Sequence, residues 1–237
     1  MPADDLAQRL KALQGQLPPQ ARLLAVSKGQ PAARLREAVA LGLRSFGESR
    51  LQEAQAKQVE LADLEPLDWH FIGRLQANKA RGVLRHFGTI HSVDGLALAE
   101  RLQRIAAEEQ LSPRLFFQVK LRSDPGKTGF EPRELEQLWP RLRALEPLVP
   151  VGLMTIAPLG LEADQRFRLF QDCAALAATL GLGELSMGMS NTGPRRCGPA
   201  APGCGSARLC SAPGSEPCFV NRYPGCVQLQ PKPWDAK

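Results

Sequence analysis

The stretch RLLAVSKGQPAARLREAVALG (residues 22–42) contains one complete structural unit. RLLAVSK (22–28) is a short apolar run of strand length. The segment after it carries Pro31 where a helix starts and Gly42 where one ends. An apolar strand followed directly by a helix is a βα unit, and its repetition along the chain decides the fold class.

The pairing recurs in both directions from this point. Before it, residues 3–15 place Leu6, Leu10, Leu13 and Leu17 on one helical stripe, which LPPQ ends. After it, RSFGES (44–49) precedes the helical RLQEAQAKQVELA, and DWHFIG (68–73) precedes a short helix through Gln76–Leu84. TIHSVD (89–94) precedes GLALAERLQRIAAEE, and RLFFQVKL (114–121) precedes PRELEQLWPRLRAL. VPVGLMTI (149–156) precedes ADQRFRLFQDCAALAATLG, and ELSMGMS (184–190) is the seventh strand. Seven βα units at this density predict an α/β fold of the (β/α)8 barrel type, with the eighth unit missing or garbled. Seven strands alone would leave β-edges unpaired on the first and the last of them.

Composition separates the body from the tail. The chain has 237 residues and a net charge of +6, and residues 191–237 carry four of those six charges. In the body, basic and acidic residues interleave along helical segments, as in RLQRIAAEE, the pattern of a solvated face. Nucleic-acid binding is therefore not expected. Five of the six cysteines (Cys197, Cys204, Cys210, Cys218 and Cys226) also fall in the tail, without a C-x-x-C pair or a nearby histidine for zinc. No run approaches the ~20 apolar residues of a membrane helix. The acidic, helical start MPADDLAQRL does not read as a secretory signal, so a cytoplasmic protein is expected.

In a barrel, function gathers at the C-terminal ends of the strands. Those ends supply Lys28, Ser49, His70, Asn78, Asp94, Lys120 and Ser190. A lysine at the end of a buried strand invites two readings. It is a snorkelling surface group, or an amine whose pKa is lowered by desolvation for Schiff-base chemistry. His70, between Trp69 and Phe71, reads equally as a hydrogen-bonded interior residue or a functional one. DPGKTGF (124–130) lacks the first glycine of a Walker A loop, since that position is Leu121, and reads as a glycine-rich turn. SMGMS ends a strand in small residues whose backbone N–H groups suit a phosphate.

Taken in order, LLAVSKGQP, RSFGESRLQE, WHFIGRLQANKAR, HSVDGLALAERLQ, GLMTI and LSMGMS resemble the pyridoxal phosphate homeostasis proteins, the single-domain relatives of alanine racemase. The resemblance spans about residues 3–190. It implies a barrel of the alanine racemase N-terminal type holding pyridoxal 5′-phosphate (PLP) as a Schiff base on Lys28. It also implies that Met189 and Ser190 contribute to the phosphate cup. Ser49 stands where the family more often has Asn, and its hydroxyl has the shorter reach. The implied function is intracellular PLP (vitamin B6) homeostasis without catalysis, in a monomer whose partners are PLP and PLP-dependent apoenzymes. The alternative is a PLP-dependent racemase or decarboxylase. A racemase of this fold takes a second acid–base group, usually a tyrosine from an added β domain, and the only tyrosine here is Tyr223.

The family's remaining cofactor contacts come from an eighth strand, R-[IL]-G-[ST] followed by FG-x-R, which the literal chain lacks after Ser190. The genetic code accounts for this. Restoring one G after the Asn191 codon, with permitted codons for the residues that follow, turns TGPRRCGPAAPGCGSARLCSAPG into a reading containing DWPAAVR, WLRLG and ALFGAR in order. With Ser215 as AGT and Glu216 beginning GA, the restored frame then meets a TGA stop. The expected division is therefore residues 1–190 as barrel units one to seven, and residues 191–237 as a frameshifted, poorly ordered tail.

Overall fold

The computed structural model describes residues 3–15, 17, 21–124, 126–158 and 160–187, together with the segments 207–210, 218–221 and 226–229. After α1 (Ala3–Gln14) the chain alternates strand and helix. It runs β1 (Arg22–Val26), α2 (Ala32–Ala40), β2 (Ser45–Glu48), α3 (Leu51–Glu60), β3 (Asp68–Phe71), a 3-10 turn (Ala77–Lys79) and α4 (Ala80–His86). It continues with β4 (Thr89–Val93), α5 (Leu96–Glu109), β5 (Arg114–Gln118), α6 (Pro132–Leu142), β6 (Val149–Met154), α7 (Ala163–Thr179) and β7 (Glu184–Ser186). All seven predicted strands are present, each ending earlier than its apolar run. Past β1, the residues beyond the strand end form the turn that carries Lys28.

The strands close into a parallel barrel in the order β1, β10, β7, β6, β5, β4, β3, β2. The eighth position belongs to β10 (Cys226–Leu229), which pairs with β1 over four residues and with β7 only through Cys226 and Ser186. The expectation that β1 and β7 lack a common neighbour is corrected here. Ladder pairing is a backbone interaction, so a short extended segment satisfies an edge without the family's side chains. In a separate two-stranded sheet, β8 (Ala207–Cys210) and β9 (Cys218–Asn221) form an antiparallel pair. Among the described residues no helix follows β7, so the eighth βα unit of the fold is not reproduced. The expected poor order of the tail concerns residues that mostly lie outside the described ones.

Helix periodicity explains the outer layer. On α5, Ala99, Leu102, Ile105 and Ala106 face inward at helical spacing and are buried. Gln165 at the start of α7 accepts from the Glu162 N–H, and Glu134 in α6 accepts from the Glu131 N–H, so both helices start with a back-bonded first turn. The main core joins β3 to β7 with α3 to α7, around Phe117, Phe130, Leu115, Leu135 and Leu153. Each such large side chain contributes about 1.5–3 kcal/mol of transfer free energy when fully buried. A second cluster packs α2 against β2 through Leu35, Val39, Phe46 and Leu61. No helix among the described residues is long and apolar enough to cross a membrane.

Candidate functional site at the barrel mouth

β1 and β2 lie side by side, with Val26 level with Gly47. Two residues beyond this pair stand Lys28 and Ser49, so both expected site residues follow the C-terminal ends of neighbouring strands. Ser27, Lys28, Gly29 and Gln30 form a tight turn closed by the Gln30 N–H on the Ser27 carbonyl at 3.0 Å. Gly29 takes a left-handed φ of 72°, which a side chain would oppose. Pro31 then caps α2.

Lys28 is exposed, and its amine has no hydrogen-bond or ion-pair partner among the described residues. Of the two readings of this lysine, the exposed position is that of a snorkelling group at a strand end rather than of an amine desolvated by burial. β1 ends at Val26, so Lys28 sits past the strand in the turn, where water reaches it. Ser49 is half-buried, and a Cβ on Gly73 would overlap its backbone, so only glycine lets the turn after β3 close against β2 here.

The turn beneath Lys28 rests on buried charge. Lys57 of α3 is 5% exposed and Glu48 of β2 is fully buried. The Lys57 ammonium donates to the Ser27 carbonyl at 2.7 Å and to Glu48 Oε1 and Glu53 Oε1, each at 2.6 Å. Ser27 Oγ donates to Glu48 Oε1 at 2.7 Å, and the Gly29 N–H donates to Glu53 Oε1. Burial pushes the Glu48 carboxyl above its usual range against the pull of Lys57 and Ser27. Burial also acts upward on Glu53, but the hydrogen bonds from Lys57 and Gly29 outweigh it and hold that carboxyl below its usual range. Glu48 Oε2 is buried without a hydrogen-bond partner among the described residues.

The other expected mouth residues are dispersed. Asn78 is exposed in the 3-10 turn, Asp94 is half-buried after β4, and Lys120 pairs with Glu131 at 3.0 Å. DPGKTGF is the turn expected of it: Asp124 accepts from the Gly126 N–H at 3.2 Å, and Lys127 pairs with Asp124 and donates to the Ala157 carbonyl. His70 is not at the mouth. It lies inside, with Nε2 2.7 Å from Asp68 Oδ2 and Nδ1 2.8 Å from His91 Nε2. His91 reaches Ser186 Oγ at 2.7 Å and stacks on Phe116 with centroids 4.3 Å apart. The interior reading of His70 is the one the structure supports. Met189 and Ser190 lie outside the described residues.

Sequence reasoning passed over Glu48, Glu53, Lys57 and His91. The Glu53–Lys57 pair was visible as an i, i+4 ion pair, but such spacing ordinarily marks a solvated face. Its burial depends on α3 packing over the ends of β1 and β2, which no local pattern announces.

Chemically, the mouth offers a primary amine on a hydrogen-bonded backbone turn, which suits condensation with an aldehyde. That donor set fits PLP on its aldehyde side.

Comparison with known proteins gives the family and the fold. The alanine racemase N-terminal domain family matches residues 2–200. The pyridoxal phosphate homeostasis protein of Synechocystis is 46% identical over 184 residues, covering 75% of this chain and 84% of the relative. That of Pseudomonas aeruginosa is 46% identical over 181 residues, covering 75% and 77%. Among solved structures, PipY of Synechococcus elongatus with PLP bound superposes with a TM-score of 0.77 at 42% identity, covering 94% of this chain and 97% of that one. PipY without PLP gives 0.76 at 53% identity, covering 78% and 89%. Alanine racemase of Clostridium difficile shares the fold, with a TM-score of 0.64 at 15% identity, covering 79% of this chain and 51% of that one.

Proposed function

The chain belongs to the alanine racemase N-terminal domain family as one of its pyridoxal phosphate homeostasis proteins, and from that premise we propose that it binds PLP through a Schiff base on Lys28. It holds the cofactor in the cytoplasm as a monomer and hands it to PLP-dependent apoenzymes. The observation that carries this reading is the exposed Lys28 amine, without a partner among the described residues, on a closed turn past the C-terminal end of β1. The PLP-bound relative PipY supports the choice of ligand.

When bound, PLP supplies the aldehyde that the lysine captures. The Lys28 amine attacks the aldehyde carbon, a C=N bond forms and one water leaves. Ser49, past the end of the neighbouring strand, would offer its hydroxyl to hydrogen-bond the ligand. Met189 and Ser190 complete the family motif as members of the phosphate cup. An absorbance band of a protein Schiff base on adding PLP, lost in Lys28→Ala, is the expected result; an equal band in the variant overturns the assignment.

Binding without catalysis is the reading the side chains favour. Amino-acid chemistry on PLP takes a second acid–base group opposite the lysine. Among the described residues the interior histidines are engaged with Asp68, Ser186 and each other, and Tyr223 lies outside those residues. Incubating the PLP form with single amino acids gives no racemisation or decarboxylation on this reading. Turnover of either kind assigns the chain to the enzymes instead.

Residues 192–237, on the same proposal, are the wrong-frame translation of the family's eighth unit. Two things support it: the restored reading DWPAAVR–WLRLG–ALFGAR, and curated relatives that align over about three quarters of the chain. β10 supplies backbone pairing at the eighth position but not the arginine or the Gly-Ser/Thr pair of the family signature. The literal chain therefore forms the Lys28 bond but loses PLP on dialysis and has poor solubility. The chain with the frame restored retains the cofactor. Sequencing the gene around codon 191 decides the matter: a reading with no missing base, shared by a relative with the same tail, removes the frameshift.

A further inference from the structure

The two peptide groups that flank Lys28 are both held by one buried ion cluster. On its N-terminal side, the Ser27 carbonyl accepts from Lys57 Nζ at 2.7 Å. On its C-terminal side, the Gly29 N–H donates to Glu53 Oε1. Lys57 and Glu53 are themselves joined at 2.6 Å, one turn apart on α3, and Glu48 ties Lys57 and the Ser27 hydroxyl to the end of β2. A lysine ammonium has three N–H donors, and Lys57 directs them at Ser27, Glu48 and Glu53.

We propose that Glu53 and Lys57 are positioning residues for Lys28, clamping the backbone on both sides of it so that its amine is presented to the ligand from a fixed base. The inference rests on the assignment of Lys28 as the cofactor lysine.

The physical need is specific. Lys28 is exposed and carries a long, rotatable side chain, so its own packing does little to aim the amine. Gly29 adds a second loose point, because glycine loses more freedom on ordering than any other residue. Anchoring both adjoining peptides removes the backbone share of that freedom before the ligand arrives, which speeds a bond that must form at one geometry. The cluster joins α3 to the ends of β1 and β2 and meets the backbone on either side of Lys28, so it acts on Lys28 through the backbone.

Glu53 is the residue to test, because its side chain is partly exposed while those of Lys57 and Glu48 are buried. Three full-length chains are compared: the parent, Glu53→Ala and Glu53→Gln. The first readout is hydrogen exchange at the Gly29 amide without PLP. The second is the rate at which borohydride traps PLP on Lys28, with trapping on the remaining lysines as the internal reference. Glu53→Ala is expected to speed Gly29 exchange by about tenfold, as loss of one charge-assisted hydrogen bond does. It is also expected to slow trapping at Lys28 several-fold while the other lysines keep their rates. Glu53→Gln keeps an acceptor for Gly29 and stays near the parent in both.

Unchanged Gly29 exchange in Glu53→Ala, or unchanged trapping at Lys28 despite faster exchange, overturns the clamp. Failure to trap PLP on Lys28 in the parent overturns the cofactor assignment, and the positioning role with it. In that event faster Gly29 exchange in Glu53→Ala shows only a structural tie. The two failures are thus read from different chains.

Discussion

His70 Nδ1 stands 2.8 Å from His91 Nε2, and this contact joins a line of polar groups that crosses the barrel from Asp68 to Ser186. The Asp68 carboxylate accepts from His70 and is held below its usual range by that bond. His91 is fully buried, and burial, followed by the charges of His70 and Arg114, pushes its pKa well below 6.5. Among the described residues, the groups facing it are His70 from β3, Phe116 and the Arg114 charge from β5, and Ser186 from β7, with no carboxylate in contact.

A pH dependence follows. Below pH ~6.5 an unfolded chain takes up a proton at His91 that the folded chain refuses. The stability tied to neutral His91 is complete above that pH and is lost as pH falls toward the depressed folded value. The loss is at most about 1.4 kcal/mol per pH unit for one group. Urea midpoints measured from pH 7.5 to 5 are expected to fall more steeply in the parent than in His91→Gln. Parallel curves contradict the account.

Gly152 in β6 tests the packing of the barrel wall. A Cβ there would overlap the Glu184 carbonyl oxygen on β7, and Glu184 also anchors Arg22 and Arg114 at the same end of the barrel. Because the obstacle is backbone, Gly152→Ala must force β6 and β7 apart, at a cost of about 1–3 kcal/mol or more. A melting temperature equal to that of the parent would show that this wall yields.

Cys173 is buried in α7, and burial, helped by the Asp172 charge, pushes its thiol up to about 12. With so little thiolate it is expected to resist iodoacetamide at pH 8 in the folded chain and to react once urea is added. Peptide mapping separates it from the other five cysteines. Rapid modification in the folded chain contradicts the burial described.

Much of the fold was legible because βα repetition is a local pattern. Each apolar run and each helix from α2 to α7 was readable in sequence order. Strand ends were less legible: RLLAVSK continues past the last strand residue, Val26, into the turn that carries Lys28. The sequence left that lysine between a surface group and a desolvated amine, and the displaced strand end is why it is exposed. The order of the first and last strands was also out of reach, since β10 joins β1 by backbone pairing that a side-chain pattern does not encode. Lys28 and Ser49 came from motifs, whereas Lys57 did not. Its role depends on three partners, of which only Glu53 is near it in sequence.

The most direct measurement is reduction of the PLP-treated full-length chain with borohydride, followed by peptide mapping. The account predicts one dominant phosphopyridoxyl adduct, on Lys28, formed faster than on any other lysine and absent from Lys28→Ala. An adduct spread evenly over the surface lysines, or centred on another residue in both chains, would contradict it.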